Sequence, residues 1–269
     1  HVAITSDIQT VCNNSFLVIV VPSQYFRETI KNVKPFYKSQ KVLIATKGIE
    51  PETGMKMSEI LYNEIGQCKF AVISGPTIAS EVAAGKPTAA VVASGDTEMA
   101  REIQCMFSSR ILRLYTSDDV CGVEICGGYK NVIAIGSGII DALELGDNAK
   151  ASYLTRSIEE MKRFGKMLGA KEKTFLGLAG IGDLITTSFS PSSRNHRFGQ
   201  AIATGNAQQF LAHTRMVIEG ISASKAIIKM AETHNVDIPI ASSIYRIVHK
   251  NAKPSDEIEK LMTRELKHE

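Results

Sequence analysis

Five short apolar runs punctuate the first part of the chain: Phe16 to Val21, Val42 to Thr46, Phe70 to Ser74, Ala89 to Ala93 and Ile111 to Tyr115. They are rich in β-branched residues and continuous rather than alternating, which suits strands covered on both faces. Between them, Met55 to Ile65 sets Ile60, Leu61 and Ile65 at helical spacing, and Thr97 to Phe107 does the same with Met99, Ile103 and Phe107. Alternating strand and helix signals predict a doubly wound α/β domain.

After Ser117 the strand-like runs stop. Asp118 to about Leu143 is apolar and carries Gly122, Gly127, Gly128, Gly136 and Gly138, a pattern that predicts a central buried helix with close neighbours. Asn148 to Leu168 is amphipathic, with Leu154, Ile158, Met161, Phe164 and Met167 toward the core. Ile218 to His234 and Ser255 to Leu266 read as further helices, the last announced by Pro254. The chain therefore divides into an α/β unit, residues 1–117, and an all-helical unit, residues 118–269.

Bulk composition narrows the class. The 269 residues suffice for two domains, and 44% hydrophobic with 22% charged is ordinary for a globular protein. A net charge of +3 argues against a nucleic-acid binder and is compatible with a local site for a small anion. Cys12, Cys68, Cys105, Cys121 and Cys126 form no C-x-x-C pair, so reduced thiols are expected rather than a zinc site or a disulfide framework, and with them an intracellular location. No apolar run reaches the ~18 residues of a membrane span. The apolar run at Phe16 follows His1 almost at once, so an upstream segment is expected.

Several windows carry candidate chemistry. Lys130, in Gly127-Gly128-Tyr129-Lys130-Asn131-Val132, stands on the apolar helix. Desolvation there would depress its pKa and make it an acid or base near neutrality; a lysine snorkelling at the helix edge fits the same window. Lys47 follows the run Val42 to Thr46, at the strand end where open α/β sheets bind ligands; an ordinary loop lysine is the alternative. Ser74-Gly75-Pro76-Thr77 opens a short helix whose first N–H groups could face an anion, or Thr77 could simply cap it. Asp183 lies in Gly180-Ile181-Gly182-Asp183, a glycine-rich turn that is not a G-x-G-x-x-G fingerprint. Ser193 reads as an N-cap, with Arg194, Asn195 and Arg197 close behind. Cations at a helix start suggest an anionic partner, although a solvated basic face is also possible.

In order, Val20-Val21-Pro22-Ser23, Thr46-Lys47-Gly48-Ile49-Glu50, Ser74-Gly75-Pro76-Thr77, Lys130-Asn131-Val132-Ile133-Ala134, Gly180-Ile181-Gly182-Asp183, Ser193-Arg194-Asn195-His196-Arg197-Phe198-Gly199 and Val217-Ile218-Glu219-Gly220 resemble the bacterial-type NAD(P)-dependent glycerol-3-phosphate dehydrogenases. The resemblance covers essentially the whole chain. It implies a Rossmann-type domain followed by an all-α domain of the 6-phosphogluconate-dehydrogenase-like type. It implies interconversion of dihydroxyacetone phosphate and sn-glycerol 3-phosphate with NAD or NADP, for phospholipid synthesis, by a cytoplasmic homodimer without metal, nucleic acid or membrane span. It makes Lys130 and Lys47 catalytic. Gly75, Thr77, Asp183, Ser193, Arg194 and Asn195 join those lysines in substrate binding, and Lys47, Ala79, Arg194, Val217 and Glu219 contact the cofactor. The family's opening strand and G-x-G-x-x-G turn have no counterpart here, so the Rossmann domain is expected to be incomplete at its N-terminus by roughly two βα units. A related ketoacid or hydroxyacid reductase, or a non-catalytic descendant acting as a binding module, are the competing readings.

Overall fold

The computed structural model describes residues 2–214, 216–266 and 268. A short α1 (Ile8–Val11) precedes β1 (Phe16–Ile19), α2 (Ser23–Val33), β2 (Lys41–Ile44), α3 (Met57–Ile65), β3 (Phe70–Ser74), α4 (Ala79–Ala83), β4 (Thr88–Ala93), α5 (Thr97–Phe107) and β5 (Leu112–Ser117). The five strands form one sheet in the order β1-β2-β3-β4-β5. Three pairings are parallel and β3–β4 is antiparallel. Only five helical residues lie between β3 and β4, and the chain turns back there instead of crossing over.

Side chains alternate across the sheet as strand geometry requires. Leu43, Ala71 and Val92 pack under Met99 and Ile103 of α5. Val42, Ile44, Val72 and Ala93 face the opposite layer with Phe26 and Ile30 of α2 and Ile60 and Leu61 of α3. The expectation of strands covered on both faces holds for the central strands and fails at the edges. Val18 on β1 is 46% exposed and Tyr115 on β5 is 45% exposed, because an edge strand has a neighbour on one side only.

Among the described residues every element after Ser117 is helical: α6 (Val120–Ala142), α7 (Gly146–Met167), α8 (Glu172–Phe175), a π-helical turn (Leu178–Gly182), α9 (Asp183–Phe189), α10 (Arg194–Ala203), α11 (Ala207–His213), α12 (Glu219–His234), α13 (Pro239–Lys250) and α14 (Pro254–Met262). Buried from Gly122 to Ile140, α6 is the axis of the molecule. Glycines set how closely its neighbours approach. A Cβ on Gly138 would lie 1.9 Å from the His196 carbonyl oxygen of α10, and one on Gly199 of α10 would lie 1.9 Å from that of Ile135. The two backbones thus touch through reciprocal glycines. Tyr129 turns its hydroxyl to Glu160 Oε1 at 2.8 Å, and the same carboxylate caps α13 by accepting from Ile240 and Ala241 N–H. Among the described residues no helix is long and apolar enough to cross a membrane.

Early in α6, Glu124 is 7% exposed and accepts from Ser58 N–H at 2.8 Å and Ser58 Oγ at 2.5 Å, which closes the N-terminus of α3. Burial pushes its pKa from 4.5 up to about 7, against the lowering effect of the Ser58 bonds. The folded protein therefore keeps this proton at pH values where the unfolded chain has lost it. Stability from the group is complete below the unfolded value and is lost as pH rises through the folded one. Glu124→Gln keeps the shape and removes the titration. It should gain on the wild type by roughly 3 kcal/mol at most between pH 5 and pH 8. Urea melts at both pH values check this, and parallel curves would contradict it.

Candidate active site

Lys130 sits at the middle of α6 and is 7% exposed, so its charge needs a partner. That partner is Asp183, the first residue of α9, 2% exposed. Lys130 Nζ donates to Asp183 Oδ1 at 2.5 Å and to Thr187 Oγ1 at 2.9 Å. The other oxygen, Oδ2, accepts from Lys47 Nζ at 2.7 Å and from Ser74 Oγ at 3.4 Å. Lys47 also donates to the Gly75 carbonyl at 3.1 Å. Two lysines from opposite halves of the chain thus share one buried carboxylate, beside the end of β3.

The local reasons differ for each member. Lys47 leaves the sheet at the carboxyl end of β2, and its stem lies 3.5 Å from where a Gly127 Cβ would be. Asp183 is not in the glycine-rich turn expected from the sequence. Residues 178–182 form a π-helical turn, and Asp183 opens the following α-helix, whose N-terminus favours an anion. Gly180 is required there, because a Cβ would lie 2.1 Å from the Phe175 carbonyl oxygen.

The electrostatics are mutual. Burial lowers the pKa of Lys130, Asp183 raises it again and Lys47 lowers it, with a net fall to about 8. Burial works to raise Asp183, but the two ammonium groups outweigh it and hold the carboxylate below its usual value. Held by an ionised carboxylate that it shares with Lys47, the Lys130 amine is poised near neutrality and can deliver and recover a proton. The snorkelling alternative for Lys130 is excluded by its burial.

A second cluster lies at the start of α10 and α12. Ser193 is the N-cap expected from the sequence and accepts from His196 N–H at 3.3 Å. Arg194 donates to the Val217 carbonyl at 2.8 Å. Asn195 donates to Asn131 Oδ1 at 3.0 Å and accepts from Gly220 N–H at 2.9 Å. Glu219 accepts from Ser23. Arg197 points away, exposed and stacked 5.6 Å from the Phe210 ring, so only one of the two arginines joins the cluster. Thr77 bonds back to the Gly75 carbonyl at 3.2 Å and caps nothing; Ile78 is the N-cap position of α4, and Ala79 is exposed on its first turn. Thr187 carried no signal in the sequence; Ser74 and Ser23 stood within Ser74-Gly75-Pro76-Thr77 and Val20-Val21-Pro22-Ser23 with no role of their own. Thr187 is one helical turn from Asp183, a spacing that could have found it once α9 was known to start at Asp183.

Comparison with known proteins decides the family. A family model described as NAD-dependent glycerol-3-phosphate dehydrogenase C-terminus matches residues 119–259, and its N-terminus counterpart matches residues 1–100. The chain belongs to this family. A Thermotoga sp. (strain RQ2) protein named glycerol-3-phosphate dehydrogenase (NAD(P)+) is 44% identical over 266 residues, 98% of this chain and 81% of its own length. The crystal structure of glycerol-3-phosphate dehydrogenase from Coxiella burnetii superposes with a TM-score of 0.92 at 35% identity, over 96% of this chain and 80% of that one. A Ralstonia eutropha ketopantoate reductase shares the fold alone, with a TM-score of 0.56 and 15% identity over 94% of this chain and 80% of its own.

The residues of this dehydrogenase-family chain fit the nicotinamide end of its cofactor. The parallel strands β1, β2 and β3 all end at one edge, where Ser23, Gly48 and Gly75 follow them. Gly75 has φ +143°, and a Cβ there would lie 2.9 Å from Ala90 Cα, so β4 packs too closely against this turn for any side chain. The carboxyl edge of parallel strands is where open α/β sheets take their ligands, and here it adjoins the lysine–aspartate cluster. Among the described residues no Gly-rich strand-to-helix turn of the pyrophosphate-gripping kind occurs.

Proposed function

We infer that this chain interconverts dihydroxyacetone phosphate and sn-glycerol 3-phosphate with NAD(P)H, supplying glycerol 3-phosphate for phospholipid synthesis. The observation that carries the reading is Lys130 and Lys47 sharing Asp183 at the carboxyl edge of the sheet. The bound nicotinamide supplies the hydride. As the ketone is reduced, its C2 oxygen gains negative charge. Lys130 Nζ gives that oxygen its proton, and Lys47 Nζ stabilises the developing charge. Asp183 stays ionised and keeps both ammonium groups aimed, while the Thr187 hydroxyl fixes the Lys130 head. In the reverse direction neutral Lys130 takes the alcohol proton. Two ammonium groups against one carboxylate leave a local excess of one positive charge, which suits an anionic substrate.

Gly75, Thr77, Ser193, Arg194 and Asn195 complete the substrate pocket in this reading. Lys47, Ala79, Arg194, Val217 and Glu219 line the cofactor side. The phosphate supplies remote binding energy that brings C2 to the nicotinamide. The reading extends to a cytoplasmic homodimer with a domain boundary near residue 117. Arg194→Ala should raise the KM for dihydroxyacetone phosphate by about tenfold or more, with a smaller change in kcat. Steady-state kinetics check it. Equal turnover of dihydroxyacetone without its phosphate would remove the phosphate-site assignment.

A further inference from the structure

Helix α2, the next element after β1, begins at Ser23, and its N-cap Pro22 offers no side-chain cap. The cap comes from 196 positions further on. Ser23 N–H donates to Glu219 Oε1 at 3.1 Å, and Ser23 Oγ donates to Glu219 Oε2. Ser23 is 4% exposed, so the pair is not a loose surface contact. Glu219 is itself the first residue of α12, and one carboxylate therefore joins the N-termini of two helices.

Each end of this clasp touches one of the two lysine-bearing segments. On the sheet side, Gly48 packs beneath it. A Cβ on Gly48 would lie 2.4 Å from Ser23 Cβ and 3.4 Å from Glu219 Oε2, so the Lys47–Gly48 loop is seated against Ser23. On the helical side, Gly220 N–H donates to Asn195 Oδ1 and Asn195 Nδ2 donates to Asn131 Oδ1, the neighbour of Lys130. A Cβ on Gly220 would lie 2.6 Å from the Asn131 carbonyl oxygen, which fixes the start of α12 against α6. A continuous path of contacts runs from Gly48 through Ser23, Glu219, Gly220 and Asn195 to Asn131.

We propose that Ser23 is a positioning residue: its grip on Glu219 holds the Lys47 loop against α6 and so sets how closely Lys47 and Lys130 meet at Asp183. Ser23 touches neither the reacting atoms nor either lysine head. Its effect reaches the chemistry through the separation of two like charges. The charged groups that face Lys130 are Asp183 from α9 and Lys47 from the loop after β2. Burial keeps Lys130 below its ordinary value, Asp183 opposes this and Lys47 adds to it. A loosened Lys47 loop moves one positive charge away and admits water. Both changes push the Lys130 titration upward.

The test is Ser23→Ala, which keeps the backbone donor and removes one of the two bonds. Protein labelled with 13C at lysine Cε reports the Lys130 midpoint directly, with no cofactor or substrate present; Lys130→Met identifies the resonance. The midpoint should rise by at least ~0.5 pH unit. Turnover of dihydroxyacetone phosphate should fall about tenfold, with its KM within about twofold. Asp96→Ala is the control. Asp96 caps α5 through Glu98 and Met99 N–H, away from Glu219 and both lysines, so its loss lowers melting temperature without moving the Lys130 midpoint. An unmoved midpoint in Ser23→Ala, or an equal shift in Asp96→Ala, would overturn the proposal. Only the turnover arm rests on the dehydrogenase reading. If the wild type does not turn over dihydroxyacetone phosphate while the Ser23→Ala midpoint still rises, that reading falls and the positioning role stands.

Discussion

Lys130→Ala should lower kcat for dihydroxyacetone phosphate reduction by about a thousandfold, the scale of a lost general acid. The fold should survive, because Asp183 keeps Lys47 and Ser74 as partners and is not left as an unpaired buried charge. Circular dichroism and a thermal melt separate loss of chemistry from loss of structure. The wild-type pH profile supplies an independent check. Reduction needs the protonated amine, and the Lys130 pKa lies at about 8, so reductive kcat/KM should fall as pH rises through that value. Oxidation of glycerol 3-phosphate needs the neutral amine and should rise over the same interval. Near-normal turnover in the alanine variant would remove Lys130 from the mechanism.

Gly199→Ala should be among the most damaging single-methyl changes in the molecule. The added Cβ would sit 1.9 Å from the Ile135 carbonyl oxygen, and that oxygen belongs to the backbone of a buried helix that cannot step aside. Either α10 or α6 must shift, at a cost of about 3 kcal/mol or more. Activity should suffer with stability, since Arg194 and Asn195 are on the displaced helix. Gly138→Ala attacks the same crossing from the other side, and the pair should be far from additive because both relieve themselves by the same helix shift. A chemical-denaturation midpoint for Gly199→Ala equal to that of the wild type would mean that the helices do not meet as described.

These two residues also mark what the sequence makes legible. Continuous apolar runs found all five strands, and helical spacing and a glycine-rich apolar stretch found the long helices α6 and α7. Glycines on α6 announced close packing, but not the partner. Gly138 meets His196 and Gly199 meets Ile135 across the interior, and no local pattern links positions so far apart. Helix α13 escaped notice because its N-terminus is capped by Glu160 from α7 rather than by a neighbouring side chain. The antiparallel return at β4 was equally invisible, since continuous apolar runs carry no direction.

At the site, the window around Lys130 alone could not separate a catalytic lysine from a snorkelling one. The deciding facts are tertiary: 7% exposure, and a carboxylate 53 positions away that Lys47 shares. Thr77 and Arg197 show the opposite case. Each carried a plausible local signal, Thr77 for capping α4 and Arg197 for an anion, and the structure turns Thr77 back on the Gly75 carbonyl and stacks Arg197 on Phe210. The ordered set of motifs was informative where single windows were not, because seven short matches in sequence constrain the fold that must bring them together.

The most direct test of the central claim is the absorbance of reduced nicotinamide, followed with purified protein expressed from its complete reading frame, dihydroxyacetone phosphate and either NADH or NADPH. The account predicts oxidation of at least one cofactor that depends on dihydroxyacetone phosphate and disappears in Lys130→Ala. Folded protein that oxidises neither cofactor in the presence of this substrate would contradict it.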